Sequence, residues 1–336
     1  MAIDGHGADA GPEIVIEGAA RAAADGIPVR VFGPAGLDRP EGVELVDCEE
    51  WIGNDAEPVA AVRSRPEASI VRAAASVAAG DSSALVGAGS TGATMTAALF
   101  ALRRLKGVHR PALAAQIPVP GNDAGAVLFL DAGANTESRP QHLVQFAFMG
   151  SAFSQVVLDT PAPRVALLSV GEEQKKGNPD VVEAHQRLAA SPGIDFVGNV
   201  EGRDLLTGAA DVIVTDGFTG NVTLKTLEGT ARAVGDAVRD AARSGPVSAA
   251  GGLLLRPALA GLRASMDPNG VGGAILLGLR GVAVVAHGSS SAEGIANAVR
   301  LAHRARTERA VERTAELLAD SGATREALRE QPDQAR

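Results

Sequence analysis

The chain has no tyrosine, one tryptophan and one cysteine among its 336 residues, and aromatic side chains make up only 3% of it. Each scarcity excludes something. The lone Cys48 rules out an intramolecular disulfide framework and fits a reducing compartment. Asp47, Glu49 and Glu50 beside it also disfavour the thiolate that a cysteine nucleophile needs. So few rings leave little on which to stack bases, and a net charge of −9 gives no general attraction for polyanions. Nucleic acid is therefore not an expected partner, and any phosphate or acidic protein must be held by local cations. Histidines and carboxylates show no ligand spacing, so no metal is expected, and no cofactor. No basic-then-apolar leader follows Met1, and the expected location is the cytoplasm.

What is present is glycine, 40 residues of it, within an Ala/Val/Leu-rich chain that is 46% hydrophobic. Short β-branched runs such as Val29–Phe32, Val43–Val46, Ala84–Val86, Ala126–Leu130, Val165–Val170, Val212–Val214 and Val282–Ala286 alternate with stretches of helical spacing, among them 91–105, 141–157, 221–242 and 292–318. The alternation predicts an α/β fold of three α/β/α layers around a mostly parallel sheet. No linker cuts the chain, so residues 1–320 read as one domain or two intimate lobes, with 321–336 as a charged tail.

Several strands end in small polar residues. "VIVTDGFTGNVTLKTLEG" passes from the strand at Val212 through Asp216 and Gly217 into a helix that Thr219 or Asn221 can cap, with Lys225 about one turn in. "ALVGAGSTGATM" runs into Gly87-Ala88-Gly89-Ser90-Thr91-Gly92, formally the dinucleotide fingerprint. No Asp or Glu lies between Gly87 and Asp123 to hold a ribose, which disfavours NAD and leaves an NADP-dependent oxidoreductase as an alternative, Arg103 or Arg104 meeting the extra phosphate. "VVAHGSSSAEG" ends a strand in His287, Gly288, Ser289 and Ser290, and Ser290 with Glu293 has capping-box spacing. "DAGANTESRP" and "SVGEEQKKGNPD" place Asn135, Arg139, Lys175, Lys176 and Asn178 after further strands. In open α/β sheets ligands collect at such ends, where helix N-termini favour anions.

At these residues the sequence resembles the acyl-acyl-carrier-protein:phosphate acyltransferases of bacterial phospholipid synthesis. The likeness runs through Gly11–Ala19, Gly87–Met95, His142–Ser151, Ser169–Asn178, Gly198–Leu206, Asp216–Gly229 and Val285–Ser290, nearly the whole chain and in the family's order. It implies a fold like that of isocitrate and isopropylmalate dehydrogenases, a homodimer, and transfer of a fatty acyl group from a carrier-protein thioester to inorganic phosphate. The acyl phosphate would then serve a glycerol-3-phosphate acyltransferase. The chain departs from the family at Asp4–Pro12, where the histidine is moved to His6, at Ser90, where asparagine is common, and at Arg65-Pro66, where two lysines are usual.

Phosphate is a competent nucleophile at neutral pH and a thiolate leaves readily, so the reaction needs positioning and oxyanion stabilisation rather than a covalent nucleophile. Lys176, Lys225, Asn221 and His287 are the expected catalytic residues, His287 as proton donor or orienting group. Gly89, Ser90, Thr91, Gly92, Asn135, Asn178, Asp216, Thr219, Ser289 and Ser290 are expected around phosphate or carbonyl oxygen, Asp216 being equally readable as a turn residue. Arg103, Arg104, Lys106 and Arg110, concentrated on an acidic protein, suit an acidic acyl carrier protein, and equally a favourably charged helix end. The segment 251–279 is too interrupted for the roughly 18 apolar residues that span a bilayer. It reads as a helical pair whose Leu253, Leu254 and Leu255 form an exposed ridge for peripheral contact with the inner face of the plasma membrane, or else line the acyl tunnel or dimer interface. A non-catalytic scaffold binding carrier protein or membrane is the remaining class.

Overall fold

The computed structural model describes residues 1–119, 125–265 and 268–330. Eleven strands form one sheet: β1 (Ala2–Asp4), β2 (Val29–Gly33), β3 (Val43–Asp47), β4 (Ala84–Gly87), β5 (Ala112–Pro118), β6 (Ala126–Leu130), β7 (Arg164–Leu168), β8 (Asp195–Val200), β9 (Val212–Val214), β10 (Ala274–Leu277) and β11 (Val282–Val285). The helices are α1 (Pro12–Ala24), α2 (Pro58–Ser64), α3 (Ser69–Ala79), α4 (Thr91–Leu102), α5 (Pro140–Val157), α6 (Pro179–Ala189), α7 (Gly217–Arg243), α8 (Pro246–Ser265), α9 (Ala292–Thr307), α10 (Ala310–Asp320) and α11 (Arg325–Glu330).

The strand order is β3-β2-β1-β4-β11-β10-β5-β6-β9-β7-β8. All neighbours are parallel except around β10 and β5, each antiparallel to both of its neighbours. Three reversals in succession turn the second half of the sheet over. Strands β1–β4 and β11 run one way and β6–β9 the other, so the carboxyl ends of the two halves lie on opposite edges. The polar loops therefore do not all share one edge: two sets of strand ends exist, and some element must cross the sheet to join them.

Strands such as β4, β9 and β11 are buried along their whole length, as parallel strands covered on both faces must be. One face packs against α1, α5, α6, α9 and α10 through residues such as Val15, Phe146, Leu188, Ile295 and Leu318. On the other, α2, α3 and α4 cover the first half through Val62, Ile70 and Ala97, while Leu224 and Leu227 of α7 lie against Phe129 and its neighbours in the second.

Four readings of local structure change. The cap of α7 is Asp216, not Thr219 or Asn221: its carboxylate accepts the Thr219 N–H at 2.9 Å, which starts the helix earlier. Ser291 rather than Ser290 caps α9, accepting from the Gly294 N–H at 3.2 Å. The helical stretch expected over 292–318 breaks at Arg309, whose φ of 57° no helix continues through. Segment 251–279 is not a helical pair: α8 gives way to β10, whose Ala274–Leu277 run is inserted between β11 and β5. Arg263 and Asp267, read as breaks in that segment, lie outside the residues whose side chains are described. In the tail, α11 extends to Glu330 with Ala323 and Leu328 in the core, and residues 331–336 lie outside the described residues.

Candidate active site

Three loops meet at the carboxyl ends of β1, β4 and β11. Gly7 and Gly89 are in backbone contact, and a Cβ on Gly7 would stand 2.2 Å from the Gly89 Cα, so neither position admits a side chain. Asp9 donates its N–H to the Gly288 carbonyl at 2.8 Å. The space beside the second glycine of the G-x-G-x-x-G run is thus taken by this chain's own backbone, where the dinucleotide reading needs a pyrophosphate. Beneath the loops, the buried Asp4 carboxylate accepts from Ser69 Oγ at 2.6 Å and from the His6 N–H at 3.3 Å, and burial pushes its carboxyl up. His6 lies against Trp51 and its Nε2 meets the Cys48 carbonyl at 2.7 Å.

Ser90 caps α4, its Oγ accepting the Ala93 N–H at 3.4 Å. The first-turn N–H groups of Thr91 and Gly92 have no helical acceptor, as at every helix start. With the helix dipole they form a positive end beside the 5–9 loop.

The second half contributes through α7. Gly217 and Gly220 are buried because the helix starts flat on the loop after β6: a Cβ on Gly220 would lie 1.8 Å from the Asp131 carbonyl oxygen, and one on Gly217 2.4 Å from that of Asn135. The "DGFTGN" run is therefore the face by which α7 docks on that loop. That loop is built around Asp131, fully buried, which accepts the N–H groups of Leu113, Gly133, Ala134 and Asn135 and the Asn135 side-chain amide, all within 3.1 Å. Asn221 sits over Gly133, 3.5 Å from where its Cβ would be.

From that edge α7 crosses the sheet. Eight residues of helix advance about 12 Å, and Lys225 arrives at the opposite edge with its Nζ 3.5 Å from His287 Nε2. His287 has its own orientation fixed. Its Nδ1 accepts the Ser289 N–H at 3.2 Å and lies 2.8 Å from Ser289 Oγ. A backbone N–H can only donate, so the neutral ring carries its proton on Nε2. Lys225 and His287 are two donors side by side, and a single oxygen, Glu228 Oε2, faces both, 2.8 Å from Lys225 Nζ and 4.0 Å from His287 Nε2. All three side chains are partly open to solvent.

The structure thus brings together Lys225, His287 and Ser289, with Ser290 buried behind them and donating its N–H to the His287 carbonyl. The loop of Gly89, Ser90, Thr91 and Gly92 is tied to them through residues 5–9. Other candidates are engaged locally. Asn135 spends its amide on Asp131 and the Pro111 carbonyl. Asp216 binds the N–H and Oγ1 of Thr219, and Asn178 caps α6 through the Val181 N–H. Lys176 stands on the exposed loop after β7, its carbonyl held by Ser169 Oγ, with no contact to the Lys225–His287 pair. Arg103, Arg104, Lys106 and Arg110 are exposed where α4 ends, Arg104 donating to the His109 carbonyl. Leu253, Leu254 and Leu255 are 67%, 82% and 58% exposed on α8. Sequence reasoning missed Glu228, Asp131 and Gly7. Only Glu228 had a local signal, its three-residue spacing from Lys225.

Among the described residues no cluster of histidine, cysteine and carboxylate has the form of a metal site, and no helix is long and apolar enough to cross a membrane.

The α/β/α fold thus sets Lys225 and His287 side by side where the two sheet halves meet. The chain belongs to the phosphate acyltransferase family: the model of the family described as fatty acid synthesis protein matches residues 1–313, and its relatives carry the acyltransferase name. It is 44% identical over 315 residues to a phosphate acyltransferase of Elusimicrobium minutum, covering 90% of this chain and 91% of that one. It is 42% identical over 316 residues to the enzyme of the same name from Lactococcus lactis subsp. cremoris, covering 90% and 94%. Among solved structures the fold is shared with a phosphotransacetylase from Streptococcus pyogenes, at TM-score 0.61, 19% identity and coverage of 92% and 94%. It is also shared with 4-hydroxythreonine-4-phosphate dehydrogenase from Klebsiella pneumoniae, at TM-score 0.52, 16% identity and coverage of 91% and 98%.

Proposed function

We propose that the chain transfers a fatty acyl group from the thioester of an acyl carrier protein to inorganic phosphate, with Lys225 and His287 as the phosphate- and thioester-facing pair. The observation that carries this is the Lys225 ammonium standing 3.5 Å from the His287 Nε2, with one carboxylate oxygen facing both. A phosphate oxygen attacks the thioester carbonyl carbon, forming the C–O bond. The tetrahedral oxyanion is met by the N–H groups at the start of α4, and as it collapses the C–S bond breaks and the leaving thiolate, steadied by the His287 Nε2–H, takes up the proton that the attacking hydrogen phosphate gives up. Asn221 and Lys176 complete the phosphate surroundings in this reading, Lys176 by movement of its exposed loop.

The acyl phosphate is the donor for a glycerol-3-phosphate acyltransferase in phospholipid synthesis. The carrier protein docks on Arg103, Arg104, Lys106 and Arg110, cations gathered on a chain of net charge −9. The α7–α8 hairpin, with Val234, Val238 and Leu253–Leu255 exposed, supports a homodimer and peripheral contact with the cytoplasmic membrane face. The deciding experiment incubates the purified chain with acyl carrier protein thioester and phosphate and traps acyl phosphate as its hydroxamate. Phosphate-dependent hydroxamate supports the reading. Its absence, with NADPH oxidised in the presence of keto acids or NADP reduced in the presence of hydroxy acids, would replace it by an oxidoreductase.

A further inference from the structure

Glu228 occupies the position that an anion would take. Its Oε2 is 2.8 Å from Lys225 Nζ, and the same atom is the carboxylate oxygen that faces His287 Nε2, at 4.0 Å. The lysine and histidine nitrogens stand 3.5 Å apart. With the His287 proton on Nε2, two donors at that separation do not bond to each other. Glu228 is hydrogen-bonded to Lys225 and faces His287 from beyond hydrogen-bond distance. Its side chain is the least exposed of the three, at 29% against 53% for each of the others, so the carboxylate is tucked beneath the pair while the donors stay open to an incoming ligand.

We propose that Glu228 is an internal counter-anion that inorganic phosphate displaces from Lys225, so that this carboxylate sets the affinity for phosphate. The inference rests on the reading of Lys225 and His287 as the phosphate-facing pair. When a phosphate dianion enters, the Lys225 ammonium exchanges one carboxylate oxygen for a phosphate oxygen. Glu228 stays nearby as a like charge, so phosphate binds more weakly than it would to Lys225 alone. A weak site matches a substrate that must be released into transfer rather than held. The same repulsion discriminates by charge: a more highly charged anion, such as pyrophosphate, meets a larger penalty than phosphate does.

The test is Glu228→Gln, which keeps the shape and the acceptor oxygen and removes the charge. The phosphate KM is measured in acyl-phosphate formation for the wild-type protein, Glu228→Gln, Lys225→Ala and the double variant. Binding of inorganic phosphate alone is followed by calorimetry, and a melting curve confirms folding. Removing a unit charge a few ångström from a solvated anion is worth roughly fivefold, so Glu228→Gln should lower both the phosphate KM and Kd by about that factor, with the thioester KM unmoved. The gain should shrink on the Lys225→Ala background, where the carboxylate no longer competes for the ammonium and only its direct repulsion remains. A carboxylate that only braced α7 would not tighten phosphate binding when neutralised. An unchanged or raised phosphate Kd in Glu228→Gln overturns the proposal, as does a fall in kcat that removes the acidic limb of the pH profile, which would make Glu228 a base. If the wild-type protein forms no acyl phosphate, the proposed reaction fails, and the calorimetric comparison still decides the role of Glu228.

Discussion

Asp131→Asn isolates the frame on which α7 rests. The carboxylate accepts three N–H groups on Oδ1, from Leu113, Gly133 and Ala134, and two on Oδ2, from the main chain and side chain of Asn135. The asparagine amide is nearly isosteric, so no cavity forms and the effect is one of polarity. With the amide oxygen in the Oδ1 place, three bonds survive and the NH₂ group faces two donors; flipped, it faces three. Two charge-assisted bonds are therefore lost at the least, each worth about 1.5–3 kcal/mol, and their donors stay buried. The expected destabilisation is about 3–6 kcal/mol, read from the urea midpoint multiplied by the m value. Asp131→Ala, which leaves five donors without this acceptor, should cost more. The phosphate KM should rise in Asp131→Asn at temperatures where it stays folded, since the loop also seats Gly133 under Asn221. A midpoint within experimental error of wild type in Asp131→Asn would refute the reasoning, because no rotation of the amide can satisfy all five donors.

Lys225→Ala should raise the phosphate KM or depress kcat by a factor of ten or more, the loss of about 1.5–3 kcal/mol from one charge-assisted contact. Lys176→Ala should do the same if its loop closes on phosphate, and steady-state kinetics wild-type in both would remove these residues from the site. Reversing Arg103 and Lys106 to glutamate should weaken carrier-protein thioesters in a salt-dependent way while sparing coenzyme A thioesters; Arg104 is the poorer choice because it holds the His109 carbonyl. Replacing Leu253, Leu254 and Leu255 together by alanine should reduce binding to anionic vesicles and leave the melting midpoint nearly unchanged, since exposed changes cost under about half a kcal/mol each. Unchanged vesicle binding with a lowered midpoint would assign them to packing. His142 is buried, and burial first, then the nearby His109, Arg110 and Arg139, lowers its pKa to about 4 from an ordinary 6.5. A lowered histidine pKa means that the unfolded chain takes up the proton first, so stability is lost as pH falls from about 6.5 to 4, by at most about 3 kcal/mol. His142→Asn, whose side-chain oxygen can replace Nδ1 as acceptor for the Arg139 N–H, should flatten that part of the stability profile.

Strands of β-branched residues followed by a turn were legible from local sequence alone, β9 among them, although α7 after it starts at Gly217 and not at Asn221. Those that escaped lacked the local signal. β5 reads "ALAAQIP", alanine-rich and indifferent between helix and strand, and it is extended because β10 and β6 hydrogen-bond to it on both sides. β10 is a short apolar run that periodicity cannot tell from a buried helix turn, and only its place between β11 and β5 decides. Those two strands are also the ones whose reversals send the carboxyl ends of the sheet halves to opposite edges, so missing them hid the fact on which the site depends. With all polar loops imagined on one edge, Lys225 needs no special reach and Glu228 is merely an exposed partner three residues along a helix. With the ends opposed, Lys225 can meet His287 only because α7 lies flat on the Asp131 loop and runs across the face. That course is permitted by Gly217 and Gly220, where any Cβ would strike backbone oxygen. The glycines, the buried carboxylate and the lysine of that segment are thus one device: two make room, one anchors, and the last is delivered about 12 Å away to a histidine whose own strand runs in the opposite direction.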